Sequence, residues 1–139
     1  MAERRYLVDT SVLARAAIEA VGARIESLAL AGRFWTCRTV DLEVVYASRS
    51  RDVGDVIEER VALPEAPVTP AVMDRALHVS GLLAAAGDHR GAKPADLVIA
   101  AAAEAAGLVV LHYDDDYDRI AAVTNQATEW VAPRGSLSH

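Results

Sequence analysis

Three short apolar segments of this chain each adjoin an aspartate. Tyr6 to Val8 leads into Asp9, Leu108 to Leu111 is followed by Asp114, and Asp96 precedes a further apolar run. The carboxyl ends of parallel strands and the adjoining helix starts form one crevice in α/β proteins, so we expect these carboxylates to converge in space. The pattern therefore favours an α/β fold with a parallel sheet.

The order of the predicted elements supports this fold class. Pro94 at a first helical position and Gly107 just past an alanine-rich run delimit one helix, and a buried strand over 108–111 follows it at once. Strands are also predicted over 6–8, 34–37 and 127–131. Helices are predicted from Asp9 through Ala17, over 21–31, from a Thr39 cap through Tyr46, over 53–61, from Pro70 through Leu83 and over 116–123, with a loose tail over 133–139.

Length and composition limit the class of protein. With 139 residues the chain fits one domain, 1–139, and none of its apolar runs approaches the roughly 20 residues that span a bilayer. The apolar run after the first five residues ends at Asp9, too early for a secretory signal. We therefore expect a cytoplasmic protein without a membrane segment.

The net charge of −6 argues against a protein that holds nucleic acid by bulk electrostatics. It does not exclude a nuclease, because acids that surround cations are locally neutralised. Arg15, Arg90 and Lys93 lie near the predicted acids and are candidate phosphate contacts, although exposed surface positions are the commoner role for such residues.

Some of these acids also have an ordinary structural explanation. Asp9 could cap a helix, worth about 1 kcal/mol, and Asp96 stands in a first helical turn that favours negative charge. Glu43 is harder to explain, because Val40, Leu42, Val44 and Val45 surround it and a carboxylate there needs a partner or a metal. Four acids, Asp114, Asp115, Asp116 and Asp118, stand within five positions, of which a solvated loop accounts for two.

The acids are more informative as a set. If Asp9, Glu43, Asp96 and Asp114 meet within about 5 Å, each pair costs about 3 kcal/mol at an effective dielectric constant near 20. A marginally stable protein does not tolerate several such pairs unless a cation or protonation relieves them. Oxygen-rich sites of this kind suit Mg²⁺ or Mn²⁺, which commonly serve phosphate chemistry.

Other polar and aromatic side chains are given structural roles. His112 ends a predicted strand and is expected to be hydrogen-bonded there, and Cys37, in an apolar setting, is expected to be a buried, inert thiol. Trp35, Trp130 and Tyr46 are expected to be packing residues, because too few basic residues are interleaved with them for a base-stacking surface.

Four segments in order resemble the motifs of PIN-domain ribonucleases. They are Leu7 to Leu13, the helical acid Glu43, Asp96 to Ala102, and Leu111 to Tyr117. The compact length is similar to that of the VapC toxins of bacterial toxin–antitoxin pairs. The chain departs from the family where His112 replaces a frequent Thr or Ser and Tyr117 a frequent Phe.

The resemblance implies a parallel sheet with helices on both faces, and an endoribonuclease that cleaves structured RNA by a cation-activated water. Asp9, Glu43, Asp96 and Asp114 would form the catalytic site, with Asp9, Asp96 and Asp114 as ligands of Mg²⁺ or Mn²⁺. Asp116 would be an auxiliary catalytic acid, and a hydroxyl at Thr10 or Ser11 would help to position the site. The resemblance also implies a homodimer and a cognate VapB-like antitoxin whose C-terminal segment covers the crevice.

The residues also bear on two other classes of function. A phosphatase with an aspartate nucleophile needs a second aspartate two positions after Asp9, where Ser11 stands, and no acceptor aspartate for a receiver domain is well placed. A non-catalytic α/β module that binds RNA or protein stays open.

Overall fold

The computed structural model describes residues 3–137 and contains a four-stranded parallel sheet. The strands are β1 (Tyr6–Val8), β2 (Phe34–Trp35), β3 (Val109–His112) and β4 (Thr128–Trp130), in the order β2-β1-β3-β4. In the register, Leu7 pairs with Val110 and Val8 with Leu111. The predicted parallel α/β sheet is confirmed, and its two central strands, β1 and β3, are those that lead to Asp9 and Asp114.

Seven helices surround this sheet among the described residues. They are α1 (Thr10–Leu13), α2 (Glu19–Leu30), α3 (Arg38–Ala47), α4 (Val53–Val61), α5 (Pro70–Ala85), α6 (Pro94–Ala106) and α7 (Asp116–Thr124), with a 3₁₀ turn over Ser50–Asp52 before α4. No helix in this part of the chain is long and apolar enough to cross a bilayer.

Alternation along β1 divides the core into two halves. Leu7 points into a cluster with buried residues of α3, α5, α6 and α7, whereas Tyr6 and Val8 join Val12 of α1 and Leu28 of α2 on the other face. Helices therefore cover both faces of the sheet, in three layers. The alanine-rich α6 suits this arrangement because small side chains allow it to lie close to α5 and the sheet.

Several predicted helix boundaries are confirmed. Helix α4 has the predicted bounds, Pro70 and Pro94 begin their helices, and Gly107 follows α6 with φ of 70°, a left-handed conformation that glycine adopts without strain.

Two predictions at the ends of helices were wrong. Helix α1 ends at Leu13 instead of continuing through Ala17, because the chain tightens into turns there, with the Ala16 amide donating to the Leu13 carbonyl. This bend lets α2 pack against the same face of the sheet as α1. The N-cap of α3 is Cys37 rather than Thr39, because the backbone is still extended at Cys37 and becomes helical at Arg38. The residue before it, Thr36, forms a β-bridge with Glu65.

Two further predictions, one about the burial of Tyr46 and one about a loose C-terminal segment, were also wrong. Tyr46 is 93% exposed and does not pack in the core. The predicted loose tail is held at two points, where Arg134 pairs with Asp115 at 2.7 Å and the Leu137 amide donates to the Tyr113 hydroxyl at 3.0 Å. Ser138 and His139 lie outside the described residues. Cys37, by contrast, is fully buried as predicted, and burial raises the pKa of its thiol.

A buried ion pair that the sequence did not indicate fixes α3 against α4. Arg60 donates to Asp41 Oδ1 at 2.8 Å and to the Thr36 hydroxyl at 2.8 Å, and Asp41 is 6% exposed. Arg38, at the start of α3, donates to the second oxygen of Asp41 at 2.7 Å. Because the charges are paired and hydrogen-bonded, their burial is tolerated, and the network holds the helix that carries Glu43.

We expect Arg60→Met to lower the free energy of unfolding by about 3 kcal/mol, because it leaves the buried Asp41 charge without its inner partner. Arg38→Met is the matched control. It removes the more exposed partner of the same carboxylate, and we expect a loss of less than about 1 kcal/mol. Urea denaturation followed by circular dichroism measures both, and equal losses would contradict the assigned role of Arg60.

Candidate metal centre

Asp9 combines a structural role with a position in the crevice. It directly follows β1, and its backbone amide donates to the Leu111 carbonyl of β3 at 3.0 Å. Its Oδ2 accepts hydrogen bonds from the Ser11 amide at 3.0 Å and the Ser11 hydroxyl at 2.6 Å, so the predicted helix cap is present. The carboxylate is nevertheless buried and faces the other acids through Oδ1.

The Tyr117 hydroxyl links Asp9 to Asp96. It lies 2.7 Å from Asp9 Oδ1 and 3.3 Å from Asp96 Oδ1, and the side chain is fully buried. A phenylalanine at this position would leave both carboxylate oxygens without this contact. The departure of this chain from the family pattern at Tyr117 therefore adds a polar group at the centre of the site.

Three carboxylates meet beside this bridge. One oxygen from each of Asp96, Asp114 and Asp116 lies within 4.8 Å of the other two. Asp96 is in the first turn of α6, Asp116 begins α7, and Asp114 accepts a hydrogen bond from the Asp116 amide at 2.9 Å. The acids that follow β3 are therefore brought to the start of α6 by the tertiary fold.

Lys93 extends into the same cluster. Its Nζ lies 2.7 Å from Asp116, 3.2 Å from Asp114 and 3.3 Å from Asp96, and its backbone amide donates to Asp116 at 3.0 Å. Burial by itself would lower the pKa of Lys93, but these carboxylates raise it above its ordinary value. The sequence suggested Lys93 as a phosphate contact, whereas here its ammonium group neutralises the acids.

Asp96 and Asp116 have opposite pKa shifts. Burial, together with the neighbouring Asp116 carboxylate and the charge of Asp9, raises the pKa of Asp96 to about 8. Burial alone would raise the pKa of Asp116 too, but the neighbouring Asp96 carboxyl group and hydrogen bonds from Lys93 lower it to about 2. These opposite directions favour a proton on Asp96 over one on Asp116.

Glu43 lies on the α1 side of the site rather than among the three clustered acids. Its Oε1 accepts a hydrogen bond from the Thr10 hydroxyl at 3.3 Å, and burial together with the charge of Asp9 raises its pKa. The side chain is partly exposed, on a helix whose apolar residues Leu42 and Tyr46 face outward.

His112 positions the loop that follows β3 and carries Asp114. It is fully buried between Tyr117 and Trp130, with ring centroids 4.9 Å from each, and burial lowers its pKa. Its Nδ1 accepts a hydrogen bond from the Asp114 amide at 3.2 Å. The neutral ring therefore positions the backbone that carries Asp114.

The remaining candidates point away from the cluster. Asp115 pairs with Arg134, and both oxygens of Asp118 face the Trp130 indole, so two of the four neighbouring acids have ordinary partners. Arg15 donates to the Ser11 carbonyl at 2.7 Å and stacks over Tyr113. Arg90 is exposed in the loop before α6.

The donor set suits a hard divalent cation. All the convergent ligand atoms are carboxylate oxygens, and Asp96 Oδ2 is buried without a hydrogen-bond partner among the described residues, although Lys93 lies near it. A buried anionic oxygen of this kind is costly unless it is protonated or bound to a cation. Asp96, Asp114 and Asp116 could bind the ion directly, and Asp9 contributes a further negative charge one hydroxyl group away.

Sequence reasoning missed the bridging hydroxyl of this site and did not specify the contacts of a second hydroxyl. The bridging hydroxyl of Tyr117 had a signal in the sequence, because a tyrosine stood where the family often has phenylalanine. The Ser11 hydroxyl, one of the two that the resemblance implied as positioning groups, donates to Asp9 and accepts from the Tyr113 amide at 2.8 Å, joining the ends of β1 and β3. No spacing rule in the sequence indicated that contact.

An open groove adjoins Glu43. It has a volume of about 800 Å³ and is mostly apolar. The residues that line it belong to α1, α3 and the turns that follow them: Thr10, Leu13, Ala14, Leu42, Glu43, Val44, Tyr46, Ala47 and Ser48.

Comparisons with known proteins agree with this geometry. The model of the PIN domain family matches residues 6–123. Ribonuclease VapC18 of Mycobacterium tuberculosis is 43% identical over 95% of this chain and 98% of its own length, and Ribonuclease VapC51 of the same organism is 43% identical over 96% and 97%.

Solved structures share the fold. A DNA-bound VapBC from Salmonella typhimurium has a TM-score of 0.74 at 18% identity, over 94% of this chain and all of that one. VapBC2 from Rickettsia felis, bound to a promoter DNA fragment, has a TM-score of 0.71 at 16% identity, over 90% and 97%. The family match and the relatives at 43% identity show that the chain belongs to the PIN domain family and, within it, to the VapC proteins.

Proposed function

We propose that this chain is a metal-dependent endoribonuclease that cleaves structured RNA, and that it acts as the toxin of a type II toxin–antitoxin pair. The observation that carries the proposal is the convergence of Asp96, Asp114 and Asp116, with Asp9 one hydroxyl group away. The family membership and the ribonuclease names of the relatives support the same activity.

The cofactor that best fits the site is Mg²⁺, with Mn²⁺ as a substitute. Both ions prefer carboxylate oxygens, and a bound ion would supply an activated water and would stabilise charge on the scissile phosphate. Asp96, Asp114 and Asp116 would hold it, with Asp9 adding charge from the end of β1.

The protein residues around these acids have separate roles. Tyr117 and Ser11 fix the Asp9 carboxylate, and His112 holds the Asp114 backbone, so the ligands are oriented before substrate binds. Glu43, with its raised pKa and partial exposure, could take up the proton that an attacking water releases. RNA would be selected by shape and single-stranded loops outside the acidic cluster.

The partner of the toxin would be a VapB-like antitoxin, as the similar VapBC complexes suggest. The apolar groove beside Glu43 supports this, because a segment bound there would cover Leu42 and Tyr46 and close access to the acids.

We further propose that the chain acts as one domain, 1–139, in a cytoplasmic homodimer. Exposed apolar side chains on α4 and α5, such as Val61 and Leu77, offer a contact surface.

We expect Asp96→Asn to lower the rate of RNA cleavage by at least about 100-fold, because it removes a proposed ligand of the cation. Asp118→Asn is the matched control, because Asp118 lies only two residues from Asp116 but its own carboxylate accepts a hydrogen bond from the Trp130 indole. For this control we expect a cleavage rate within about twofold of wild type. A panel of structured RNAs, incubated with Mg²⁺ or with EDTA, provides the measurement. RNA that stays uncut by pure wild-type protein in Mg²⁺ would favour the binding-module alternative.

The pKa of Asp96 predicts how stability depends on pH. In EDTA the folded protein holds a proton on Asp96 up to pH about 8, whereas the unfolded chain releases it near pH 4, so stability should fall as the pH rises through this window. Asp96→Asn should lack this decline, and saturating Mg²⁺ should remove it from wild type by binding the ionised carboxylate. Melting temperatures at pH 5 and pH 8 test this, and parallel slopes for both proteins in EDTA would contradict it.

A change in the groove should weaken antitoxin binding. Tyr46 is 93% exposed, so Tyr46→Ser should leave the fold intact while removing a large apolar contact, and we expect at least about tenfold weaker binding of the cognate antitoxin. Leu30→Ser, which changes an 82% exposed residue on α2, is the control. Calorimetric titration compares the two, and equal affinities would place the antitoxin elsewhere.

A further inference from the structure

Lys93 occupies the position in the site that a cation would need. Its ammonium nitrogen contacts one oxygen on each of Asp96, Asp114 and Asp116, at 3.3, 3.2 and 2.7 Å. These are the three residues whose ligand atoms lie within 4.8 Å of one another. A positively charged group is therefore already bound at the centre of the proposed ligand set.

An ammonium group and a divalent ion would compete for these three carboxylates. Each of the three carboxylates would have to contact both, and the two cations would repel each other at contact distance with little water between them. Lys93 donors and a metal ion thus compete for the same lone pairs on the same carboxylates.

The geometry allows Lys93 to leave without unfolding the site. The residue is the N-cap of α6, and its backbone amide is held by Asp116 while the side chain is 64% exposed. The flexible four-carbon stem can turn into solvent about this fixed backbone, since lysine is a mobile and strongly hydrated point charge.

We propose that Lys93 is an internal counter-ion which fills the cation site of the metal-free protein and is displaced when the metal binds. The inference rests on the proposed function, because it takes Asp96, Asp114 and Asp116 to be metal ligands. Lys93 keeps the acids neutralised in the absence of metal, and it weakens metal binding because it must first be removed. The displaced ammonium group then stands at the mouth of the site, where the substrate phosphate would arrive.

The composition of the chain provides a direct observation of this exchange. Lys93 is its only lysine, so protein labelled with ¹⁵N-lysine carries a single side-chain ammonium group. In the metal-free protein the three carboxylates slow its hydrogen exchange, and we expect one ammonium signal in a ¹H–¹⁵N spectrum at low temperature. Addition of Mg²⁺ should abolish that signal as the group enters water, while calorimetry on the same sample reports metal binding.

Three variants distinguish displacement of the Lys93 side chain from a general effect of positive charge on Mg²⁺ binding. Lys93→Met keeps the length of the side chain without its charge, and we expect it to bind Mg²⁺ about tenfold more tightly than wild type. Lys93→Arg keeps a competing charge and should bind no more tightly than wild type. Arg90→Met removes a positive charge from the same loop without touching the cluster, and its Mg²⁺ affinity should stay within about twofold of wild type.

The outcomes distinguish this inference from the proposed function. An ammonium signal that persists at saturating Mg²⁺, or a Lys93→Met protein that binds Mg²⁺ no more tightly than wild type, would overturn the displacement of Lys93 while leaving the metal site intact. If neither wild type nor Lys93→Met binds Mg²⁺ or Mn²⁺, the metal site itself fails, and this inference fails with it.

Discussion

The repulsion among carboxylates gathered at one edge of the sheet is the constraint on which the rest of this structure depends. Asp9, Asp96, Asp114 and Asp116 all lie where β1 and β3 end and where α6 and α7 begin. Without compensation, several such contacts would cost a large part of the stability of a small protein. The structure relieves them with the Lys93 ammonium group and with hydroxyl donors from Ser11 and Tyr117, and the pKa of Asp96 is raised. This repulsion is the physical basis of the cation site proposed above.

The parallel topology creates this crowding. Strands β1 and β3 are neighbours in the order β2-β1-β3-β4, so Asp9 and the segment that follows His112 leave the sheet side by side. Ser11 then ties the two exits together, because its hydroxyl accepts a hydrogen bond from the Tyr113 amide, and His112 fixes the exit of β3 through the Asp114 amide. Because these hydrogen bonds join groups of the protein itself, they hold the acids in place in the metal-free protein. The cost of arranging the proposed ligands is thereby met by folding rather than by metal binding.

Asp41 is a buried acid with a structural role, and its hydrogen bonds differ from those of Asp96. Asp41 is as buried as Asp96 and Asp116, yet both of its oxygens accept hydrogen bonds, from Arg60, Arg38 and Thr36. Asp96 instead keeps one buried oxygen without a hydrogen bond among the described residues, and the exposed side chain of Lys93 lies 3.3 Å from it. A closed network stabilises the fold, whereas an open one is available for chemistry. The number of donors that reach a carboxylate, rather than its burial, separates the two roles.

The sequence by itself determined the α/β class, most of the helix and strand positions, and the segments from which the acids come. Those features are local, since they depend on apolar periodicity, on proline and glycine at helix ends, and on acids that follow short apolar runs. Only the tertiary structure decided that Asp116 joins Asp96 and Asp114 in one cluster, that Glu43 lies on the α1 side, and that Lys93 faces the acids. It also decided that Arg60 pairs with Asp41, 19 residues away. Such contacts join residues from different elements, and a side chain's partner depends on how the helices pack on the sheet, which spacing along the chain does not specify.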